Sequence, residues 1–242
     1  MTPDTAARVT RRHTKAESDA ILQLENGARM DQKTFHALYL KTPDGFKAEL
    51  IGGTVYVMSS PVSMHHGEPH AWLLVWLGSY AYDTPGVRVA DNTTSILGEE
   101  SEPQPDALLM VDPGYGGRVG LDDKGHVVGA PELVAEVAYS SASIDLNRKK
   151  ADYERAGVTE YLVVQVRERR VRWFVRRDDS LAESAAGDDG VFRSAAFPGL
   201  WLDPAALFGP PPNRYLDALR LGLASPDHAA FVAALAARRP PQ

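Results

Sequence analysis

The chain contains no cysteine. That removes disulfide frameworks, thiolate zinc sites and cysteine nucleophiles from the list of chemistries. It also fits the cytoplasm, the location expected here. No stretch approaches the roughly 18 consecutive apolar residues of a membrane span, so no contact with a bilayer is expected. Arg8, Arg11 and Arg12 have no apolar run behind them, and no signal peptide is expected. Positive charge is in deficit: 26 Lys and Arg against 32 Asp and Glu give a net charge of −6. Tight non-specific attraction to nucleic acid depends on many Lys and Arg contacts to phosphate, so the whole surface does not supply it. A single basic face is not excluded.

What is present is a globular composition. Of 242 residues, 44% are hydrophobic and 24% charged, enough for one large domain or one domain with extensions. Residues 1–29 are polar and Ala-rich without sustained period and read as a loosely docked arm. Residues 30–208 read as the main domain. Residues 209–242 read as a Pro-rich linker, Pro210 to Pro212, and two C-terminal helices. Within the main domain, Asp31 caps a helix carrying Phe35 and Leu38. A hairpin turns at Gly52-Gly53, its second arm ended by Ser59 and Pro61. Residues 66–82 have a helical pattern, apolar around much of the circumference. Residues 87–97 read as a strand, 105–111 as a buried strand led by Asp106, 178–190 as a surface loop, and 191–202 as a final strand region.

The stretch 130–164 organises the rest. It reads as strand, helix, strand, and its first strand carries Glu136 among Val and Ala. A carboxylate inside a buried strand is costly unless a metal or a cation compensates it. The following helix offers Lys149 and Lys150, and two further strand-like segments offer Glu49 and Asp106. Magnesium takes hard oxygen ligands, typically one or two carboxylates with waters and a substrate phosphate. A bound metal acidifies water and stabilises phosphoryl charge, and a nearby lysine neutralises charge that develops in the transition state. Two carboxylates and a lysine are therefore a minimal kit for phosphodiester hydrolysis.

Several segments, in order, resemble one family. They are Glu49-Leu-Ile-Gly-Gly-Thr-Val, then Pro61 through His65, Gln104-Pro-Asp106, Glu136-Val-Ala-Tyr-Ser140, Asp145 with Lys149 and Tyr153, and Ala156-Gly-Val-Thr-Glu-Tyr161. Together they resemble the Uma-two family of restriction endonucleases, a branch of the PD-(D/E)xK nuclease superfamily, over roughly residues 30–208. The resemblance implies an α/β (α+β) fold, a restriction-endonuclease-like mixed β-sheet flanked by helices. It implies a Mg²⁺-dependent endonuclease, with Mn²⁺ as substitute, acting on nucleic acid, most simply DNA. Asp106 and Glu136 would bind the metal, and Glu49 would be an additional acidic residue of the site. The superfamily's Glu-x-Lys is broken, because Ala138 occupies the lysine slot; the resemblance implies that Lys149 takes over, with Lys150 as fallback. Leu162 and Gln165 depart from the family's usual Trp and Asp without removing a ligand. A homodimer is expected on the ground that cutting two strands needs two sites.

Plainer readings stand beside these. Asp106 reads equally as a cap before a strand, Glu49 as a residue on the polar face of its strand, and Glu136 as half of a salt bridge to Lys149 or Arg148. Asp145, four residues before Lys149, fits a helix-surface ion pair, and Tyr153 a helix residue packed on the sheet. Six arginines between 167 and 177 read as a solvated hairpin or as a basic ribbon. Two other function classes remain open: a non-catalytic scaffold on a degenerate nuclease fold, motivated by the broken Glu-x-Lys, and a zinc hydrolase using His66 and His70, four apart on one helix.

Overall fold

The computed structural model describes residues 13–58, 62–209 and 214–239. The first twelve residues of the N-terminal arm, Ser59 and Pro61, and the Pro210 to Pro212 linker lie outside the described residues. In chain order, α1 (Lys15–Gln23) and α2 (Gln32–Tyr39) precede β1 (Ala48–Ile51) and β2 (Thr54–Val57). Then come α3 (Met64–Asp83), β3 (Val87–Asp91), β4 (Ser95–Ile96), β5 (Ala107–Val111), β6 (Gly120–Leu121) and β7 (Val127–Val128). Strand β8 (Leu133–Ala138) leads through a π-helical segment, Ile144–Lys149, into α4 (Lys150–Ala156). The chain continues as β9 (Glu160–Gln165), β10 (Arg170–Arg177), β11 (Ser180–Ser184), β12 (Phe192–Arg193), β13 (Trp201–Leu202), α5 (Pro204–Leu207), α6 (Leu216–Leu223) and α7 (Pro226–Arg238).

Six strands form the central sheet in the order β11-β10-β9-β8-β5-β3. Only β8 and β9 run parallel; the other pairs are antiparallel. The two parallel strands are buried at every residue, which is why their sequences are nearly continuous Val, Ala and Leu rather than alternating. Their crossover carries the π-helical segment and α4. Period-two alternation splits β8 between two cores. Leu133, Ala135 and Val137 face Leu73, Trp76, Leu77 and Tyr80 of α3, together with Leu219 of α6 and Leu235 of α7. Val134 and Ala138 face Tyr153 of α4, with Val158, Tyr161 and Leu181. The result is a mixed sheet with helices on both faces. Helix α6 comes so close to the chain before β13 that a Cβ at Gly222 would collide with the Gly199 carbonyl and the Trp201 ring.

The β1–β2 hairpin forms as its sequence predicts, with Gly52 and Gly53 at φ +56° and +69°. Positive φ at both central residues matches the twist of the flanking strands. Its turn is tied to α4, since the Gly52 N–H donates to Asp152 Oδ2 at 2.7 Å. A small core of Leu24, Phe35, Leu50 and Val55 joins the hairpin to α2 and to the end of α1. The Asp31 cap on α2 is present, its side chain accepting from Thr34 N at 2.8 Å.

Two local expectations are corrected, and the hairpin reading of the arginine-rich stretch is borne out. Residues 87–97 do not form one strand: Asn92, at φ +46°, ends β3, and β4 pairs with β7 in a separate three-stranded sheet. Residues 178–190 are not all loop, because β11 pairs with β10. An edge strand buries few side chains, here Leu181 alone, so its sequence carries little apolar signal. The arginine-rich stretch is a hairpin, β9 to β10, and much of its charge is compensated. Arg170 and Arg172 pair with Glu183 at 3.2 and 2.5 Å, and Arg176 donates to the Val158 and Glu154 carbonyls.

Candidate active site

Strand register brings the acidic residues together. Ala107 pairs with Ala135 across antiparallel β5 and β8, so the preceding Asp106 stands across from Glu136. Directly opposed residues in an antiparallel pair point to the same face. The Val137 N–H donates to Asp106 Oδ2 at 2.7 Å. Glu49 arrives from β1, whose Leu50 bridges to Glu102, and Glu49 Oε1 accepts the Gln104 N–H at 2.6 Å. Lys149 enters from the helix side. Its Nζ donates to Glu49 Oε1 and to Glu136 Oε1, both at 3.0 Å, and Tyr153 Oη donates to the same Glu136 oxygen at 2.7 Å. All these bonds to Glu49 and Glu136 run through Oε1, which leaves each Oε2 for a further partner. The Asp106 side chain is 13% exposed, while those of Glu49, Glu136 and Lys149 are at most 7% exposed.

The π-helical winding decides which lysine faces the site. Lys149 and Asp145 are both buried, so the expected surface ion pair between them does not exist. Asp145 instead accepts from Ser141 Oγ at 2.5 Å, and its backbone carbonyl accepts from Tyr161 Oη. Lys150 points elsewhere, pairing with Glu154 at 3.2 Å and lying over the Phe174 ring. Wide turns of this kind recur where a side chain must be redirected for function. Tyr153, read from sequence as packing, is also a hydrogen-bond donor to Glu136; its spacing of four after Lys149 is the signal that would have placed it on the same helical face.

Two histidines of α3 reach the same corner. His66 Nδ1 lies 3.0 Å from the Val137 carbonyl. A carbonyl only accepts, so Nδ1 carries the hydrogen and Nε2 faces Asp106 Oδ1, 3.5 Å away. A lone pair facing a carboxylate is stable only with a proton or a cation between them. The Asp106 hydrogen bond raises the pKa of His66, against its burial. Burial alone would raise Asp106, but His66, the Val137 N–H and Lys149 outweigh it and carry Asp106 below its ordinary value. His70 Nε2 lies 2.8 Å from the Asp106 carbonyl and 3.1 Å from Asp91 Oδ1. Facing two acceptors, Nε2 is a donor that positions Asp106 rather than a free ligand nitrogen.

The electrostatics show an excess of buried negative charge. Burial pushes the Glu136 carboxyl well above the usual range; Lys149 opposes this, while Asp106, Asp145 and Glu49 reinforce it. Burial would lower Lys149, but Glu136, Glu49 and Asp145 hold it well above the usual lysine value, so it stays an ammonium. Burial raises Asp145 to about 6, against Lys149 and the Ser141 hydroxyl. Two carboxylates, Glu49 and Glu136, thus bond to one lysine, and Asp106 and Asp145 interact with it electrostatically. Carboxylate oxygens suit a hard divalent cation; among the described residues at this corner, the ligand atoms that lie within 4.8 Å of one another are those of His66, His70 and Asp106.

The family profile described as "Putative restriction endonuclease", Uma2, matches residues 33–205. A solved structure described as a "putative nuclease belonging to DUF820" from Anabaena variabilis is similar in fold, with a TM-score of 0.54 at 15% identity. That similarity covers 71% of this chain and 96% of the other. No curated protein matches the chain. Among the described residues, no helix is long and apolar enough to cross a membrane. The fold is thus the restriction-endonuclease-like one, and the match across most of its length shows that this chain belongs to the Uma2 restriction-endonuclease family.

Proposed function

We propose that the protein is a divalent-metal-dependent endonuclease acting on DNA, with its site at Glu49, Asp106, Glu136 and Lys149. The observation that carries this reading is that Glu49 from β1 and Glu136 from β8 meet on one buried lysine ammonium, with Asp106 at the start of β5 standing opposite Glu136. Asp106 and Glu136 would hold Mg²⁺, or Mn²⁺ in its place, and Glu49 would assist through its remaining oxygen. The ion, when bound, supplies a more acidic water and charge stabilisation at a phosphoryl oxygen. The chain's own residues do the rest. Lys149, fixed by two carboxylate oxygens, sits where it can orient the attacking water and offset negative charge at phosphorus. Tyr153 holds Glu136 in its rotamer. His66 and His70 fix the two faces of Asp106, one through its carboxylate and one through its carbonyl.

Two further observations support it. The missing strand lysine at Ala138 was the motive for a scaffold reading, yet Lys149 reaches Glu136 from the helix, so the site does not lack its cation. Three residues beyond Glu136, Tyr139 stacks on His65 with ring centroids 5.0 Å apart, and Arg167 lies over Tyr139 at 4.5 Å. An exposed arginine on an aromatic ring beside the acidic cluster suits contact with a nucleic-acid strand.

The test is nicking of supercoiled plasmid with Mn²⁺ by wild type, Asp106→Asn and Glu136→Gln. Asn keeps an acceptor for the Val137 N–H, so Asp106→Asn is expected to fold. Wild-type cleavage with at least about a hundredfold loss in both variants, the scale of losing a charge-stabilising group, is the expected result. Cleavage by Asp106→Asn at the wild-type rate would overturn the assignment.

A further inference from the structure

A second cluster lies outside the acidic site and shares none of its residues. His36 comes from α2, while Asp122 and His126 come from the turn between β6 and β7. One ligand atom from each lies within 4.8 Å of the others. We propose that His36, Asp122 and His126 form a separate binding site for zinc or a similar first-row divalent ion.

The argument rests on how each side chain is held. Glu102 has a side chain only 1% exposed, and its Oε1 lies 2.9 Å from His36 Nδ1. Its other oxygen accepts from Gln32 Nε2 at 2.6 Å. A carboxylate on Nδ1 makes that nitrogen the donor, so His36 presents Nε2 as a lone pair. Carboxylate, histidine, metal is the usual outer arrangement of zinc ligands, fixing tautomer and ring orientation. Asp122 and His126 form the other half. His126 Nδ1 is 2.8 Å from Asp122 Oδ2, and Asp122 Oδ1 accepts the backbone N–H groups of Lys124 and His126. The turn is closed by Asp122 N to the His126 carbonyl at 3.0 Å. The loop is therefore set before any ion arrives. Two ligands each about 2.0–2.1 Å from a tetrahedral ion lie roughly 3.3 Å apart, so an ion between them would displace the proton that His126 Nδ1 shares with Asp122 Oδ2, releasing it on binding, and would open the pair only slightly.

The Asp122–His126 ion pair alone does not account for the third member. His36 and His126 meet edge to face with centroids 5.2 Å apart, although they come from distant parts of the chain. Two imidazoles and one carboxylate favour zinc, copper, nickel or iron over magnesium. Side-chain exposures of 20%, 25% and 22% for His36, Asp122 and His126 leave one side open for a water as fourth ligand. The site has a structural consequence. Glu102 pairs through its backbone with Leu50, and Gln104, two residues on, holds Glu49. An ion here would tie α2 and the β6–β7 turn to the segment that positions Glu49.

The test uses the full-length chain stripped with chelator and titrated calorimetrically with ZnCl₂, comparing wild type, His126→Ala, His66→Ala and Glu102→Gln. Wild type and His66→Ala should share one binding event that His126→Ala lacks. Glu102→Gln should weaken that event about 10- to 100-fold, as outer-shell carboxylates do. Thermal melts without metal check that His126→Ala still folds, and added zinc should raise the melting temperature of wild type but not of that variant. Zinc binding unchanged in His126→Ala, loss of the event only in His66→Ala, or no zinc uptake by wild type would each overturn the proposal.

Discussion

Asp145 offers the clearest reading of the site's electrostatics, because it is buried, charged and bonded to neither Lys149 nor Glu136 within the described contacts. Burial raises its pKa from 3.8 to about 6. Between those values the unfolded chain has lost the proton and the folded chain keeps it. The folded state therefore binds more protons, and stability falls as pH rises through this window. The stability present below about pH 3.8 is lost by the time pH passes about 6. The difference between those two values corresponds to about 3 kcal/mol. Asp145→Asn removes the titration. Its absolute stability carries an offset, because the amide meets the Ser141 hydroxyl differently from a carboxylate, but that offset does not vary with pH. Urea unfolding of wild type and variant, in chelator, at steps from about pH 4 to about pH 8 isolates the difference. Wild type should lose about 2.4 kcal/mol relative to the variant across that range, the rest having gone below pH 4. Adding Mn²⁺ should shrink the difference, since a nearby cation stabilises the carboxylate. Parallel pH profiles would refute the reasoning and mean that Asp145 ionises without cost in the folded protein.

Two further outcomes follow from the packing and charge. Lys149→Met leaves Glu49 and Glu136 buried without their cation and should cost about 3–5 kcal/mol in equilibrium unfolding; adding Glu136→Gln should recover part of it, and a fully additive double variant would contradict the pairing. Gly222→Ala drives a methyl into the Gly199 carbonyl and the Trp201 ring, an overpacked contact expected to cost about 1–3 kcal/mol or more, with a lowered melting temperature and an unchanged far-ultraviolet spectrum at low temperature; wild-type stability would mean that α6 does not seat there.

Much of the fold is readable because burial writes itself into sequence. Strands β8 and β9 are buried on both faces, so their apolar runs stand out, and Gly52-Gly53 has the backbone freedom that a tight hairpin demands. What escaped was set by partners distant in sequence. Whether residues 95–96 continue β3 depends on β7, some thirty residues later. The β11 edge strand is held by backbone bonds to β10 and needs almost no apolar side chains. Residues 13–24 looked polar because α1 is capped at Thr14 and buries little apart from Ala20 and Leu24.

The acidic residues were legible for a different reason: a carboxylate in an apolar strand is a local contradiction, and Glu136 announced one. The histidines were not, because His66 and His70 invite a zinc reading from spacing alone. Only the three-dimensional contacts show that His66 donates through Nδ1 to Val137 and that His70 Nε2 is engaged by two oxygens. Spacing finds residues on one face; tautomers decide what that face can do. The same logic distinguishes the two histidine clusters. In the one beside Asp106, His70's Nε2 is committed as a donor, which favours oxygen ligands and a hard ion. In the one at His36, a buried carboxylate on Nδ1 frees the other nitrogen, which favours a softer ion. With both proposals, one chain would offer two cation environments of different chemistry, joined through the short segment from Glu102 to Gln104.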